Sequence, residues 1–247
     1  MSSLSIIIIT LNEAERIGSL LEDLVQQTHR DFEVILVDSN SKDETCTVAQ
    51  GFANRLPKLH IEQMLTKGVC LGRNTGAELA QHERLLFLDA DVRLAPNFIE
   101  QALKDLDAKQ LQVAGVYMSS KGLPKRYSLG YRLFNLGIGL TQFVFPTAIG
   151  ACLFSTKTVH NTIQGFDNTI TLCEDCDYVN RASRITKFRM LPLGFTFDPR
   201  RLKQDGIMTT GRKYLHANFH RLFIGEIRNN KIRYEFDHYK PKSNKGD

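Results

Sequence analysis

Two aspartates separated by one residue follow a hydrophobic stretch in the first half of the chain. Asp89-Ala90-Asp91 comes directly after Leu85-Leu86-Phe87-Leu88. Two carboxylates at a strand end can share a hard divalent cation, or one can hold a metal while the other binds a sugar hydroxyl. Mg²⁺ or Mn²⁺ bound in this way would neutralise the charge of a departing diphosphate. An isolated Asp-x-Asp can also simply cap a turn. Further acids at the ends of the neighbouring strands would favour ligand binding over a capped turn.

Polar side chains also follow the first two apolar stretches. Thr10, Asn12 and Glu13 come after the first stretch, and Asp38 ends the second. A carboxylate in the position of Asp38 can accept a hydrogen bond from a base imide or a ribose hydroxyl. Asp43, a few residues later, is placed to cap the next helix with its side-chain oxygen.

One arginine and one acidic cluster complete the candidate residues. Gly72-Arg73-Asn74-Thr75-Gly76 opens a predicted helix, where the planar fork of Arg73 can reach a phosphate or a base. In the second half, Glu174-Asp175-Cys176-Asp177 follows Gly165-Phe166-Asp167 and begins another predicted helix. A carboxylate there can act as the general base toward an attacking hydroxyl. The alternative for Arg73 is a solvated side chain without a ligand. The alternative for the acidic cluster is that its carboxylates only complement the dipole of the helix that they begin.

An alternation of strand and helix patterns positions these side chains. Strands are predicted at 4–10, 32–38, 59–64, 84–89 and 111–118, and helices at 13–27, 43–54, 69–81 and 96–106. This order implies an open, mostly parallel α/β sheet flanked by helices. Ligands bind beyond the carboxyl ends of the strands in such sheets, so the acids that follow the strands are expected along one edge.

Five successive motifs resemble those of the family 2 inverting glycosyltransferases, which have the GT-A fold. The motifs are Ile6–Asn12 with Glu13, Asp38–Thr45, Gly72–Gly76, Leu85–Asp91, and Gly165–Asp167 with Glu174–Asp177. The resemblance covers roughly residues 4–106 and 148–182. It implies a nucleotide-diphosphate sugar, UDP- or GDP-linked, as the donor and a divalent metal, Mn²⁺ or Mg²⁺, as the cofactor.

The resemblance also implies a role for each matched acid. Asp38 would contact the nucleotide base, Asp89 the nucleotide sugar and Asp91 the metal on the diphosphate. Asp175 would be the catalytic base. The further substrate-binding candidates are Thr10, Asn12, Glu13, Arg73, Glu174 and Asp177. An inverting transfer is a single displacement, and it needs one carboxylate to take a proton and positive charge to stabilise the leaving diphosphate.

The chain departs from the family pattern at two positions and leaves one ligand open. The first strand has Ile8-Ile9-Thr10 where the family often has a proline, and Ser39 replaces the second acid of a frequent Asp-Asp pair. The third metal ligand is predicted to be Asp198, with His216 and His220 as alternatives.

Composition and charge indicate a folded domain with a basic C-terminal appendage. The 247 residues are 42% hydrophobic and 24% charged, as expected of a folded domain rather than a disordered chain. We expect a nucleotide-sugar-binding half at 1–118, an acceptor-binding and catalytic half of the same domain at 119–198, and a basic appendage at 199–247. The appendage holds 12 basic and 5 acidic residues on a near-neutral body, which is not the pattern of a nucleic-acid-binding domain.

Cysteine usage favours a cytoplasmic, reducing location. The chain has five cysteines, an odd number, and its Met-Ser-Ser start lacks the features of a signal peptide. Cys173 and Cys176 form a single CxxC, which is a weak signal for a zinc or redox site.

A stretch without charged residues, 133–156, has two open interpretations. Its glycines, proline and polar residues make it a poor membrane span. It forms either the core and the wall of an acceptor pocket, or a surface that contacts the inner face of a membrane together with the basic appendage. The acceptor is expected to be a saccharide or a lipid-linked molecule, and the second interpretation suits a lipid-linked one.

Two other functions are compatible with the pattern. One is a nucleotide-sugar-binding module without catalysis, which would lack a working metal site or base. The other is a nucleotidyltransferase, although such enzymes usually carry a Gly-rich basic loop after the first strand, and this chain has no glycine there before Gly18. The same absence of G-x-G-x-x-G argues against a Rossmann dehydrogenase.

Overall fold

The structure is a computed structural model that describes residues 2–121 and 124–197. The strands are β1 (Leu4–Thr10), β2 (Phe32–Asp38), β3 (Leu59–Gln63), β4 (Arg84–Asp89), β5 (Val92–Arg93), β6 (Val113–Met118), β7 (Cys152–Thr156) and β8 (Phe188–Phe197). The helices are α1 (Ala14–Val25), α2 (Thr45–Gln50), α3 (Val69–Leu79), α4 (Phe98–Ala108), α5 (Lys125–Thr141), α6 (Lys157–Thr162) and α7 (Glu174–Ser183).

The strands form one sheet in the order β3-β2-β1-β4-β7-β6-β8-β5. The first four are parallel to one another. β7 enters antiparallel between β4 and β6, β8 runs parallel to β6, and β5 pairs antiparallel with β8. The expected open α/β sheet flanked by helices is confirmed, and its antiparallel pairs are β4–β7, β7–β6 and β8–β5.

The sheet separates two hydrophobic clusters. Alternate side chains of β1 point to opposite faces, so Ile6 and Ile8 pack in the cluster that contains Leu20 of α1, whereas Ile7 packs in the cluster that contains Phe87. All of these side chains are fully buried. Burial of each contributes about 1.5–3 kcal/mol, which explains why the stretch before Thr10 is continuously apolar.

Helix α3 lies directly on β1 because two of its residues have no side chain. A Cβ on Gly76 would lie 2.3 Å from Cγ2 of Ile7, and one on Gly72 would lie 3.1 Å from Cγ2 of Ile9. The glycines of the 72–76 motif therefore serve helix–sheet packing. That packing carries Arg73, between them, to the ends of the strands.

Helix α5 attaches to the sheet by one narrow side. The amide of Asn135 donates to the carbonyl of Met118 at 2.7 Å and accepts from its N–H at 3.3 Å. Ile138 is buried, whereas Leu133 and Leu136 are about 60% exposed. The outward side of this helix is therefore not part of the core. Within the described residues, no helix combines the length and the apolar character needed to cross a membrane.

Candidate active site

The carboxyl ends of β1, β2 and β4 lie side by side. Thr10 is opposite Asp38 across β1 and β2, and Ile9 is opposite Asp89 across β1 and β4. Neighbouring strands are about 4.8 Å apart, so the polar side chains that end them share one edge of the sheet. The prediction that Thr10, Asp38 and Asp89 lie along one edge agrees with this register.

Asp38 is held by three protein donors. Its Oδ1 accepts the hydroxyls of Thr10 at 2.8 Å and Ser41 at 2.5 Å, and its Oδ2 accepts the N–H of Ser41 at 2.8 Å. Only 1% of the residue is exposed. These bonds fix the carboxylate at the strand end, and Thr10 acts there by orienting Asp38.

The loops after β1 and β2 are bound to each other. Asn12 has a positive φ of 56°, donates its N–H to Oγ of Ser41 at 2.8 Å and accepts the N–H of Lys42 at 2.8 Å. Asp43 accepts the N–H of Thr45 at the start of α2 and the N–H of Ala14 at the start of α1, but the N-cap residue of α2 is Glu44 and not Asp43 as predicted. Asn12 therefore shapes this part of the edge through Ser41.

Arg73 connects the end of β4 with the loop before β7 and the start of α7. Its Nη1 donates to Oε1 of Glu174 at 2.6 Å, and its Nη2 donates to Oδ1 of Asp89 at 3.0 Å and to the carbonyl of Gly150 at 3.2 Å. The guanidinium carbon lies 5.2 Å from the centre of the Phe166 ring, within cation–π range. Only 3% of the side chain is exposed, so this network is a buried one.

The charge on Arg73 is secured by the acids around it. Burial by itself would lower the pKa of the guanidinium, but Asp89, Glu174 and Asp175 together raise that pKa above its ordinary value. The arginine is therefore charged at every pH at which the protein is folded, and it offsets the acids of both halves.

Asp175 lies against the loop that precedes β7. Its Oδ2 accepts the N–H of Gly150 at 2.5 Å, and its Oδ1 accepts the N–H of Cys176 at 2.8 Å. A Cβ on Gly150 would lie 3.0 Å from Nη2 of Arg73 and 3.1 Å from Oδ2 of Asp175. Glycine at position 150 thus lets the loop touch the arginine and the aspartate at once.

Glu13 lies buried just after β1, close to Asp91 and Asp89. Burial, followed by the carboxylates of Asp91 and Asp89, raises the pKa of Glu13 to about 7, although the hydrogen bond from Arg16 at 2.9 Å opposes this shift. Asp91 is itself only 7% exposed. A cation placed among these acids would gain favourable interactions with all of them.

The metal ligands expected from the sequence lie only partly within the described residues. Within 2–121 and 124–197, no three His, Cys, Asp or Glu side chains are grouped so that they could hold a metal ion. Asp198, His216 and His220, the candidates for the third ligand, lie outside the described residues. The carboxylates of Asp89 and Asp91, which both lie close enough to Glu13 to act on its pKa, are of the type that a hard divalent cation takes as oxygen ligands.

Comparison with known proteins settles the family. The model of glycosyl transferase family 2 matches residues 5–165, which is more than half of the chain. The chain belongs to this family.

Two relatives of this family member are informative. A PGL/p-HBAD biosynthesis glycosyltransferase from Mycobacterium tuberculosis is 44% identical over 88 residues, which are 35% of this chain and 34% of the relative. The cholesterol galactosyltransferase from Borreliella burgdorferi is 31% identical over 96 residues, or 39% of this chain and 27% of the relative. The chain spans about a third of the length of the curated relatives it matches.

Two solved structures share the fold. TarS 1-349 from S. aureus, in complex with UDP-GlcNAc, superimposes with a TM-score of 0.67 at 19% identity, covering 94% of this chain and 77% of that one. A mannosyltransferase from Pyrobaculum calidifontis, in complex with GDP-Man and Mn²⁺, gives 0.69 at 18% identity, with 87% and 64% covered. These matches confirm the GT-A-like fold of this family 2 chain.

The acidic start of α7 divides into two parts. Glu174 and Asp175 face Arg73 and Gly150, whereas Asp177 pairs with Arg181 one turn later at 2.6 Å. The structure thus brings the first two acids to the strand ends and places Asp177 in a separate ion pair.

The CxxC at the start of α7 forms no disulfide. All five cysteines are free, and both Cys173 and Cys176 are buried. The thiol of Cys176 points to the carbonyl of Ala148 at 3.7 Å.

Sequence reasoning missed two contributors to this family 2 site. Ser41 supplies two of the donors to Asp38, and its place three residues after Asp38 in a polar turn is the signal that could have found it. Gly150 binds Arg73 and Asp175 through its backbone, and the sequence shows only a glycine there, which does not say what the backbone contacts.

Proposed function

We propose that this chain is an inverting glycosyltransferase that moves a sugar from a UDP- or GDP-linked donor to an acceptor hydroxyl. The observation that carries the proposal is the buried Arg73, which binds Asp89 at the donor edge and Glu174 on α7 at the same time. Residues 1–118 would hold the donor, and residues 119–198 would hold the acceptor. Membership of glycosyl transferase family 2 favours this function over a nucleotidyltransferase or a binding module.

The donor nucleotide would lie along the ends of β1, β2 and β4. Asp38, oriented by Thr10 and Ser41, would accept from the base or the ribose. Asp89, fixed by Arg73, would meet the nucleotide sugar. Complexes with UDP-GlcNAc and GDP-Man in the two structural neighbours support a donor of this class.

Asp91 would hold a divalent metal, Mn²⁺ or Mg²⁺, on the diphosphate. When bound, the metal supplies positive charge that stabilises the leaving diphosphate. Asp89 would add negative charge beside it, and a bound cation would favour the ionised form of Glu13, whose pKa burial raises to about 7. Asp198 is the proposed third ligand, with His216 and His220 as alternatives. The Mn²⁺ in the neighbouring mannosyltransferase supports this cofactor.

Asp175 would be the catalytic base. The acceptor hydroxyl gives its proton to the carboxylate as its oxygen forms a bond with the anomeric carbon, and the bond from that carbon to the diphosphate oxygen breaks. The anomeric configuration inverts because attack and departure take place on opposite sides. The N–H groups of Gly150 and Cys176 hold the carboxylate in position, Glu174 supports it through Arg73, and Asp177 would be a support farther along α7.

The acceptor would be a saccharide or a lipid-linked molecule that the chain meets in the cytoplasm. Contact with the inner face of a membrane would bring a lipid-linked acceptor within reach. A role in cell-envelope polysaccharide biosynthesis is consistent with such an acceptor.

A nucleotide-binding experiment tests the proposal. UDP and GDP are titrated into the wild type and into Asp91→Asn, with and without Mn²⁺, while the thermal unfolding midpoint is followed. A ligand that binds the native state raises the midpoint. We expect Mn²⁺-dependent stabilisation by one nucleotide in the wild type and its loss in the variant. Equal stabilisation of the two proteins would overturn the assignment of Asp91.

A further inference from the structure

A row of exposed apolar side chains runs along α5 and the turn that follows it. Leu129, Leu133, Leu136 and Leu140 recur at intervals of four, three and four residues, so they form one stripe on the helix. Phe143 and Val144 continue it. We call these six residues the outer stripe, and each of them is 58–89% exposed. Exposed apolar patches of this kind mark binding surfaces.

The opposite side of α5 is already occupied. Ile138 is buried against the sheet, Phe134 is partly buried beside it, and Asn135 is bound to the backbone of Met118. The helix is therefore fixed in an orientation that presents its leucines outward. No rotation could bury the outer stripe without exposing Ile138.

The surroundings of the outer stripe carry positive charge. The sequence has no Asp or Glu from 108 to 166, nor from 178 to 197. Arg132 lies exposed beside the stripe on α5, and the guanidinium of Arg189 lies 4.5 Å from the centre of the Phe143 ring. Leucines flanked by arginines, without acids, complement a surface with an apolar interior and negatively charged headgroups.

We propose that the outer stripe is a docking surface for an anionic lipid bilayer. With 17 residues, α5 is about 26 Å long, less than the hydrocarbon thickness, so it would lie in the interface plane with its leucines inserted. A second copy of the chain fits less well. In a two-fold dimer the same patch faces itself, and Arg132 and Arg189 would meet their own copies without an acid from either segment.

Docking of this kind would bring the active site to the membrane. The loop after α5 is tied to α7 by the bond from Asn180 to the carbonyl of Pro146 at 2.9 Å, and the same loop contains Gly150, which binds Asp175 and Arg73. The stripe and the proposed base are thus joined by one short segment. Resting on the proposed function, this placement specifies the acceptor class as a hydroxyl on a lipid-linked molecule at the bilayer surface.

Vesicle flotation with the full chain tests the surface. Phosphatidylcholine vesicles with and without phosphatidylglycerol are compared for the wild type, Leu133→Gln/Leu140→Gln and Leu65→Gln. Leu65 is a matched control because it is 93% exposed but lies before α3. We expect the wild type and Leu65→Gln to float with the anionic vesicles, and the double variant to bind them at least about tenfold more weakly. Arg132→Gln should weaken anionic binding about fivefold.

The controls separate docking from folding, from self-association and from catalysis. Thermal unfolding should be unchanged in the double variant, since both leucines are exposed in the wild type. The vesicles carry no acceptor, so their binding is independent of transfer, and nucleotide binding by the same variants tests the proposed function separately. Equal flotation of the double variant and the wild type would overturn the docking proposal. So would a wild-type dimer that the double variant abolishes without any vesicle binding by either protein.

Discussion

The half proposed to bind the donor (residues 1–118, the donor half) and the half proposed to bind the acceptor (residues 119–198, the acceptor half) gather their candidate residues in different ways. In the donor half, Thr10, Asp38 and Asp89 are brought together by the register of parallel strands. In the acceptor half, Asp175 is placed by a loop and by the start of a helix, through the N–H of Gly150. The first group is placed by a regular sheet, whereas Asp175 is placed by irregular backbone. Arg73 contacts residues of both groups. Changes in the acceptor half should therefore affect turnover, whereas changes in the donor half should affect nucleotide affinity.

The largest effect should come from the proposed base. Asp175→Asn keeps the size of the side chain but cannot take a proton, so we expect the transfer rate to fall by about 10²–10⁴-fold while donor affinity changes little. Steady-state rates at saturating donor and direct titration of the nucleotide measure the two quantities. Asp177→Asn is the matched control, because Asp177 pairs with Arg181 rather than with Gly150, and it should lose less. A dead Asp177 variant beside an active Asp175 variant would reverse the assignment.

The connection between the halves can be broken at Arg73. Arg73→Met leaves Asp89 and Glu174 without their buried counter-charge, so we expect unfolding to become easier by about 3–5 kcal/mol. Urea unfolding at neutral pH gives the difference. Arg55→Met removes an exposed ion pair with Glu22 and should have no measurable effect. Equal midpoints for all three proteins would show that Arg73 does not hold the halves together.

Glu13 should make the stability of the donor half depend on pH. Its folded-state pKa of about 7 lies above the ordinary value of 4.5, so the folded protein binds more protons between these values and stability falls as pH rises through them. Relative to Glu13→Gln, we expect the wild type to lose about 2–3 kcal/mol of unfolding free energy between about pH 4.5 and pH 7. Urea unfolding at several pH values measures this loss. Mn²⁺ should reduce it, since a cation near Asp91 favours the ionised carboxylate, and parallel pH profiles of the two proteins would contradict the raised pKa.

Removal of the Asp38 carboxylate should weaken nucleotide binding. Loss of a buried acceptor costs about 1–3 kcal/mol, so Asp38→Ala should weaken nucleotide binding about 5- to 150-fold. Titration of the matching nucleoside diphosphate in the presence of Mn²⁺ measures the change, and a cooperative unfolding transition confirms that the variant is folded. Affinity within about twofold of the wild type would remove Asp38 from the binding site.

The same contrast explains what could be predicted from the sequence. The strands that end at Thr10, Asp38 and Asp89 have the predicted bounds, because each is a short apolar stretch that ends at a polar residue. Their parallel order follows from the helices between them. The fold and the candidate residues of the donor edge were therefore accessible from local patterns.

The acceptor half was less accessible because its pattern is mixed. β8 contains Pro192 and Gly194 and shows a register shift against β6, so no alternation marked it as a strand. β5 has only two residues, which are too few for a sequence pattern to predict a strand. The apolar residues of α5 predicted either a core or a surface, and only the position of Ile138 against the sheet shows which side of the helix is buried.

The central claim is that a donor held by the first half is attacked directly by a hydroxyl activated by Asp175. The stereochemistry of donor hydrolysis tests it most directly, with water in place of the acceptor. The wild type is incubated with Mn²⁺ and α-linked UDP- and GDP-sugars, and the first sugar released is followed by proton NMR before its anomers equilibrate. We predict that the β anomer appears first and that Asp175→Asn releases sugar far more slowly. Initial release of the α anomer would contradict a single displacement and with it the role of Asp175.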